Sequence, residues 1–329
     1  MFHSPANPII RLVFTPILLL FYLHHTGAPA PFLGPVFVVI LLTLMPSKPP
    51  FNMMLKLLVV LSALSFGIAA LSETLVGSPT GFMLFTWSLL CWSYHRSQRD
   101  PKDIVSTLTL IVVLMVIVMS QQTAVPLGAV PSILCMGFVV ALIVTYISFW
   151  IFPGDEKEIE PDNTNMDGTG EQLGGTLFKA TALCVVVYAL IALESTQTLL
   201  IAITFGCMIR PPISQDSHSF GRHRLITATL GILFTLPCML AVTIGMPDYA
   251  IIGITIFCGL QLACFAIRRR TNLTIYQLLF TNFTVLTYQV VSSLGIESFS
   301  AQITRLISIS IAIALGMLVL NLFTPTKDT

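Results

Sequence analysis

The sequence is organised around residues 208 to 239, which read MIRPPISQDSHSFGRHRLITATLGILFTLPCM. In this stretch an apolar run stops at two prolines, a loop with basic residues follows, and a second apolar run with a glycine begins. Residues 45 to 70, MPSKPPFNMMLKLLVVLSALSFGIAA, have the same order of features. Because the two copies lie about half a chain apart, the sequence predicts two versions of one structural unit.

The composition is that of a membrane protein. Of 329 residues, 55% are hydrophobic and 9% are charged, whereas about 25% are charged in an ordinary soluble domain. So few charged residues cannot cover a soluble core of this size, and the bilayer has to cover it instead. The net charge of +1 gives no reason to expect a nucleic-acid partner.

No sequence motif indicates an enzyme. The seven cysteines form no CxxC pair and no histidine spacing indicates a metal site, so we expect small buried hydrophobic residues instead of ligands. The chain has no GxxxxGK[ST] loop, no HExxH and no GxSxG. We therefore expect no metal and no cofactor, and a membrane-embedded transferase with a loose motif is the weakest alternative.

Apolar segments predict an all-α membrane protein with about twelve transmembrane helices, since about 20 apolar residues cross the hydrocarbon as a helix. The predicted spans are roughly 9 to 25, 31 to 46, 55 to 75, 80 to 94, 104 to 122, 128 to 152, 176 to 193, 196 to 209, 224 to 245, 249 to 267, 272 to 292 and 301 to 323. The second, fourth and eighth are short for a perpendicular span. The first also resembles a cleavable signal peptide, but the repeat requires it as the first helix.

Lysine and arginine are sorted by loop. All sixteen basic residues except Arg305 fall at alternate ends of the predicted spans, which is the pattern of cytoplasmic loops. We therefore expect both the N terminus and the C terminus to be cytoplasmic.

The predicted organisation is two parallel six-helix membrane units, residues 1–153 and 176–329, joined by an acidic cytoplasmic linker at 154–175. The linker is rich in acidic residues and has no apolar run, which favours a solvated tether over a regulatory or docking tail. Since six spans return the chain to the same side, the second copy enters the membrane the same way up as the first. Transporters with parallel repeats bind substrate near mid-membrane between the repeats, which rock against each other.

The second half resembles a known family. It contains the segments GRHRLITATLGILFTLP, PDYAIIGITIF and SAQITRLISISIAIALGMLVL. In these segments an arginine precedes a glycine-bearing span, a tyrosine begins the next span, and an arginine begins a final span rich in small residues. This order resembles the fusaric-acid-resistance type of membrane protein, which includes the aromatic acid exporters. The residues that fit these places are Arg224, Gly231, Tyr249, Arg305 and Gly316.

This resemblance implies a bacterial inner-membrane efflux subunit that exports aromatic carboxylic acids or similar amphipathic compounds. Such subunits often work with a periplasmic adaptor protein of the membrane-fusion type. Larger members carry substantial cytoplasmic domains after each six-helix unit, whereas this chain resembles a short branch without them.

Ionisable groups inside a membrane are functional candidates because each costs up to roughly 2.5–3.5 kcal/mol at the bilayer centre. Glu73 and Glu194 end the third and seventh spans, where a carboxylate either exchanges a proton or is simply solvated. Arg305 lies about one turn inside the twelfth span and offers a bidentate partner for a substrate carboxylate or a glutamate. Snorkelling of the Arg305 side chain to the interface is the alternative.

Amides on the tenth and eleventh spans form a second group of candidates: Gln261, Asn282 and Gln289. Asn282 and Gln289 are seven residues apart, so they share one helix face. Such a face either lines a substrate path or holds one helix against another.

The proline pairs Pro49–Pro50 and Pro211–Pro212 are predicted to end the second and eighth spans, because proline lacks an amide donor and disfavours helix in the residue before it. They are also hinge candidates for a conformational change.

The sequence thus favours an efflux permease in the lipid bilayer of the inner membrane. It would be driven by the proton gradient and export a small amphipathic substrate. The alternative is a non-transporting membrane scaffold that anchors an adaptor or envelope complex. The sequence leaves homo-oligomerisation open.

Overall fold

The structure is a computed structural model. The residues that it describes are 6–45, 47–99, 103–122, 126–154, 173–192, 198–209, 230–231, 233–268 and 273–292.

The described part of the chain forms eleven α-helices and one short 3-10 helix, and it contains no strand. The first six helices are α1 (Asn7–His25), α2 (Leu33–Leu44), α3 (Phe51–Leu75), α4 (Pro79–Arg99), α5 (Ile104–Gln122) and α6 (Val130–Ile151), with the 3-10 helix at Leu127–Ala129. The other five are α7 (Leu173–Ala192), α8 (Thr198–Ile209), α9 (Leu233–Thr243), α10 (Asp248–Arg268) and α11 (Leu273–Ser292).

Six segments are long and apolar enough to cross a membrane by length and composition. They are Asn7–His25, Phe51–Leu75, Ile104–Gln122, Leu127–Ile151, Gly174–Ala192 and Asp248–Arg268. Large apolar side chains also face outward, such as Trp150 at 70% and Leu84 at 69% exposure, which suits a surface in contact with lipid. The prediction of an all-helical, multi-pass membrane protein is confirmed. The number of twelve spans and the cytoplasmic termini stay predictions.

Two helices are much shorter than the bilayer. Both α2 and α8 have 12 residues, which at about 1.5 Å per residue is about 18 Å against a hydrocarbon thickness of about 30 Å. The short second helix is therefore as predicted, and α2 does not cross the hydrocarbon perpendicularly on its own. For the eighth helix the 12 residues are those that the structure describes, since residues 193–197 and 210–229 lie outside the described residues.

The chain forms two compact units, and neither unit is one sequence half. Within the described residues, unit 1 contains α1, α2, the first residues of α3, α6 from Met136 onward, α9, α10 and α11. Unit 2 contains the rest of α3, α4, α5, the start of α6, α7 and α8. The predicted boundary between the halves falls in a linker whose residues 155–172 lie outside the described residues, so that division stays a prediction.

In unit 1, α1 packs against α2, α10 and α11, and α11 also packs against α2 and α10. The α2 and α6 helices cross at two glycines, where a Cβ added to Gly137 would lie 3.4 Å from the Leu33 Cβ and 3.7 Å from the Gly34 nitrogen. The rings of Phe37 and Phe138 pack edge to face beside this crossing, with centroids 5.4 Å apart. Small residues thus allow close helix packing where lipid provides no hydrophobic driving force.

In unit 2, α7 packs against α8, α4 and α5, and α5 also packs against α8 and α4. Polar side chains join these helices. Tyr94 on α4 donates to the Gly206 carbonyl on α8 (3.1 Å), and Ser93 donates to the Ser106 carbonyl on α5 (2.7 Å). These bonds hold the last turns of α4, which continues to Arg99 whereas the sequence predicts an end near residue 94.

The first proline pair lies at the start of α3, whereas α2 already ends at Leu44. The Pro50 carbonyl accepts hydrogen bonds from the Met53 and Met54 amides, so Pro50 immediately precedes the first turn of α3. The Pro49 carbonyl accepts a hydrogen bond of 3.0 Å from the Tyr146 hydroxyl on α6. Pro211 and Pro212 lie outside the described residues.

Gly259 sets the closest helix approach in unit 1 and gives a first prediction. A Cβ at this position would lie 2.7 Å from Cγ1 of Val13 on α1 and 3.3 Å from the Phe283 ring on α11. We expect Gly259→Ala to destabilise the protein by about 1–3 kcal/mol, because α1 and α10 have to move apart. Thermal unfolding of the purified protein in detergent measures this change.

Gly253, on the same helix, is the matched control, because no atom lies within 4 Å of a Cβ built there. Gly253→Ala is expected to leave stability unchanged or raise it by up to about 1 kcal/mol, since alanine is the better helix former. Equal unfolding temperatures for the two variants would contradict the close packing of α1 on α10.

Candidate functional site

The candidate site is a buried polar face of α11 in unit 1. Asn282 and Gln289 are 7% and 5% exposed, so the structure buries both members of the predicted face. Gly231 lies against this face, because a Cβ at Gly231 would be 3.8 Å from the Asn282 Cβ. On the same turn, Thr235 donates to the Gly231 carbonyl (2.6 Å), which satisfies its hydroxyl within its own helix.

Gln289 differs from the neighbouring buried residue Thr287. Thr287 donates to the Phe283 carbonyl one turn earlier (2.8 Å). The Gln289 side-chain nitrogen, Nε2, is buried and has no hydrogen-bond partner among the described residues. A buried amide without a partner costs free energy, so its presence in an apolar helix requires an explanation.

An aromatic pair lies at the same end of α11 as Gln289. The ring of Tyr288 packs on the ring of Phe32, which precedes α2, with centroids 5.4 Å apart. Phe32 is buried and Tyr288 is half-buried. The C-terminal end of α11 thus combines a hydrogen-bond donor with two aromatic rings.

The other predicted candidates do not join this face. Gln261 is exposed on α10, while its neighbours Leu262 and Ala263 are buried. Glu73 belongs to unit 2, where it is exposed in the last turn of α3. Its Oε1 atom lies near Gly128, 3.2 Å from where a Cβ would be built on that glycine. Glu194 and Arg305 lie outside the described residues, and so does the predicted twelfth span.

A second polar cluster involves Arg11, which the loop pattern predicts only as a cation at the end of a span. Arg11 lies on α1, is 1% exposed, and donates from Nη1 to the carbonyls of Phe152 (3.4 Å) and Gly154 (3.1 Å). Its guanidinium carbon lies 3.7 Å from the centroid of the Phe149 ring. One turn earlier, Asn7 donates to the Pro153 carbonyl (2.7 Å). We call Asn7 and Arg11 with these partners the α6 clamp.

The α6 clamp provides donors to the carbonyls of the three residues that follow α6. It also offsets the burial of a permanent charge through charge-assisted hydrogen bonds and a cation–π contact. The predicted repeat carries a sequence signal for it, because that repeat aligns Arg11 with Lys179, which is also 1% exposed.

In unit 2, amide side chains form hydrogen bonds to residues of neighbouring helices, although Nε2 of Gln98, like that of Gln289, has no partner among the described residues. Gln122 at the C-terminal end of α5 donates to the Thr198 hydroxyl on α8 (2.9 Å). Gln98 on α4 accepts from the Thr176 hydroxyl on α7 (2.9 Å). These amides hold helices together, which is the common role of polar side chains in membrane bundles.

Within the residues that the structure describes, no three histidine, cysteine, aspartate or glutamate side chains are grouped to hold a metal ion. Hydrogen bonding and aromatic contact are the chemistry that the described polar face offers to a ligand.

Residues 8–148 are similar to a family described as a protein of unknown function, DUF2955. The matched range runs from α1 to near the end of α6, whereas the resemblance to aromatic acid exporters rests on motifs in the second half. No curated protein and no solved structure matches the chain. The resemblance to aromatic acid exporters therefore stays a prediction.

Proposed function

We propose that the chain is a bacterial inner-membrane efflux permease, driven by the proton gradient, that exports aromatic acids or similar amphipathic compounds. A periplasmic adaptor of the membrane-fusion type is the partner in this proposal. Its support comes from the multi-pass helical fold, the second-half resemblance, and the correspondence between the two compact units.

That correspondence is the observation that carries the proposal. Moving six helices along the chain converts five packed pairs of unit 1 into five packed pairs of unit 2. The α1–α2 pair corresponds to α7–α8, α1–α10 to α7–α4, and α1–α11 to α7–α5. In the same way, α2–α11 corresponds to α8–α5, and α10–α11 to α4–α5. We infer a duplicated unit in which the two halves exchange helices.

The buried cations support the same duplication. Arg11 and Lys179 stand at matching places of α1 and α7 and are equally buried. A chance pair of buried charges is unexpected, since lysine and arginine are almost never fully buried unless paired. Duplicated helical units are a common architecture of secondary transporters.

The polar face of α11 is the proposed substrate contact, and Glu73 is the described candidate for proton exchange. A charge that crosses the membrane contributes about 2.3 kcal/mol per 100 mV, so a single exchanged proton supplies useful driving force. Glu194 and Arg305 keep their proposed roles in coupling and in binding a substrate carboxylate.

The proposal predicts lower accumulation of an exported acid in cells that contain the protein. We expect cells with the protein to retain less of at least one compound in a panel of labelled aromatic acids than cells without it. A protonophore should remove the difference, because it collapses the driving force. Cells should be tested with the adaptor present.

Equal accumulation with and without the protein for every compound would contradict the efflux proposal. That outcome would favour the scaffold alternative, in which a well-inserted Asn282→Ala variant also keeps its function.

A further inference from the structure

The Gln289 amide is polar, buried and without a hydrogen-bond partner among the described residues. A buried group is shielded from the water that would replace a missing partner, so the missing hydrogen bond costs free energy. Among the other described amides, Gln122 donates to Thr198 and Gln261 is exposed. Gln98 also has a buried Nε2 without a partner, but its Oε1 accepts a hydrogen bond from Thr176. Gln289 is therefore a donor that the described part of the fold leaves available.

The surroundings of Gln289 indicate which acceptor would use this donor. Asn282, two turns earlier on the same face, is also buried, and the rings of Phe32 and Tyr288 pack together at the end of α11 that carries Gln289. Aromatic rings stack on aromatic ligands, and an amide nitrogen needs an oxygen acceptor. The combination matches a ring with a carbonyl or carboxylate oxygen.

We propose that Gln289 donates its side-chain N–H to an acceptor oxygen of an aromatic ligand that binds along the Asn282–Gln289 face of α11. This inference rests on the proposed function, because it assigns the residue that recognises the exported compound. The same donor serves a carboxylate and a neutral carbonyl, so the test uses one probe of each kind.

The experiment measures the unfolding temperature of the purified full chain in detergent, alone and with benzoate, benzamide or toluene. Wild-type protein is expected to gain stability with benzoate, benzamide or both, and none with toluene, which has no acceptor oxygen. Gln289→Leu is expected to unfold at a higher temperature without ligand, because a buried donor without a partner has been removed. It should bind the effective probe about 10-fold more weakly, as expected for the loss of one hydrogen bond.

Two other glutamines are matched controls. Gln261→Leu changes an exposed amide and should leave the ligand response as in the wild type. Gln122→Leu breaks the bond to Thr198 and should lower the unfolding temperature without ligand. The unfolding temperature without ligand is thus expected to rise in Gln289→Leu and to fall in Gln122→Leu. This difference distinguishes a donor available to a ligand from a donor that stabilises the fold.

Three results would overturn the inference: a lower unfolding temperature for ligand-free Gln289→Leu, equal responses of this variant and the wild type to the probes, or no response of the wild type to either oxygen-bearing probe. Binding without transport would leave this site standing and contradict the permease proposal. Unchanged transport by the Gln289→Leu variant would support the permease proposal and contradict this site.

Discussion

Arg11→Met is expected to destabilise the folded protein by on the order of 3–5 kcal/mol, because it removes two charge-assisted hydrogen bonds and a desolvated cation–π contact. The carbonyls of Phe152 and Gly154 lose their donor, and the ring of Phe149 loses its cation. Thermal unfolding in detergent and the yield of inserted protein both measure the loss.

Arg11→Lys should recover part of the stability, since an ammonium keeps the charge but lacks the planar fork of donors. Arg96→Met is the matched control at an exposed arginine. Arg96 pairs with Asp103 and its side chain is 45% exposed, so its loss is expected to cost about 0–1 kcal/mol. If Arg11→Met were as stable as Arg96→Met, the α6 clamp would have no structural role.

The second large effect is expected when the chain is divided within residues 155–172. In unit 1, α1 and α2 of the first half pack against α10 and α11 of the second half. Each half expressed alone should therefore be degraded, because it exposes faces that the other half normally covers. Co-expressed halves should accumulate and purify together from the membrane.

The co-expression experiment has its own control in Gly259. Leucine at this position would clash with Val13 across the α1–α10 contact, so Gly259→Leu in the second half should reduce recovery of the pair. Gly253→Leu should not, because a Cβ there meets no atom within 4 Å. Two halves that are each stable alone and do not associate would contradict the exchange of helices.

The helical membrane fold was predictable because apolar length is a strong local signal. The shared face of Asn282 and Gln289 was equally accessible, since a spacing of seven residues fixes the face of a helix. The packing of helices from one half against helices from the other half was not predictable. A sequence repeat indicates which segments are alike but not which segments pack together. Gly259 has no sequence feature that distinguishes its close contact from the open position of Gly253.

The burial of Arg11 was missed for a different reason. Sorting cations by loop treats every arginine as an interfacial charge, whereas Arg11 finds its partners at the end of α6, far along the chain. That Gln289 Nε2 has no hydrogen-bond partner among the described residues also depends on neighbours that no local pattern specifies. The recurrence of a cation at Lys179 was the available hint that this position is internal.

The most direct test of the account is transport by the purified chain in proteoliposomes with an acidic lumen. A weak acid distributes passively toward the alkaline side, so passive movement drives it out of such vesicles. Exchange of protons for substrate would drive it in. We predict that a labelled aromatic acid such as 4-hydroxybenzoate accumulates in the acidic lumen, and that a protonophore abolishes this accumulation. Uptake no greater than in protein-free vesicles, for every acid of the panel, would contradict proton-driven export.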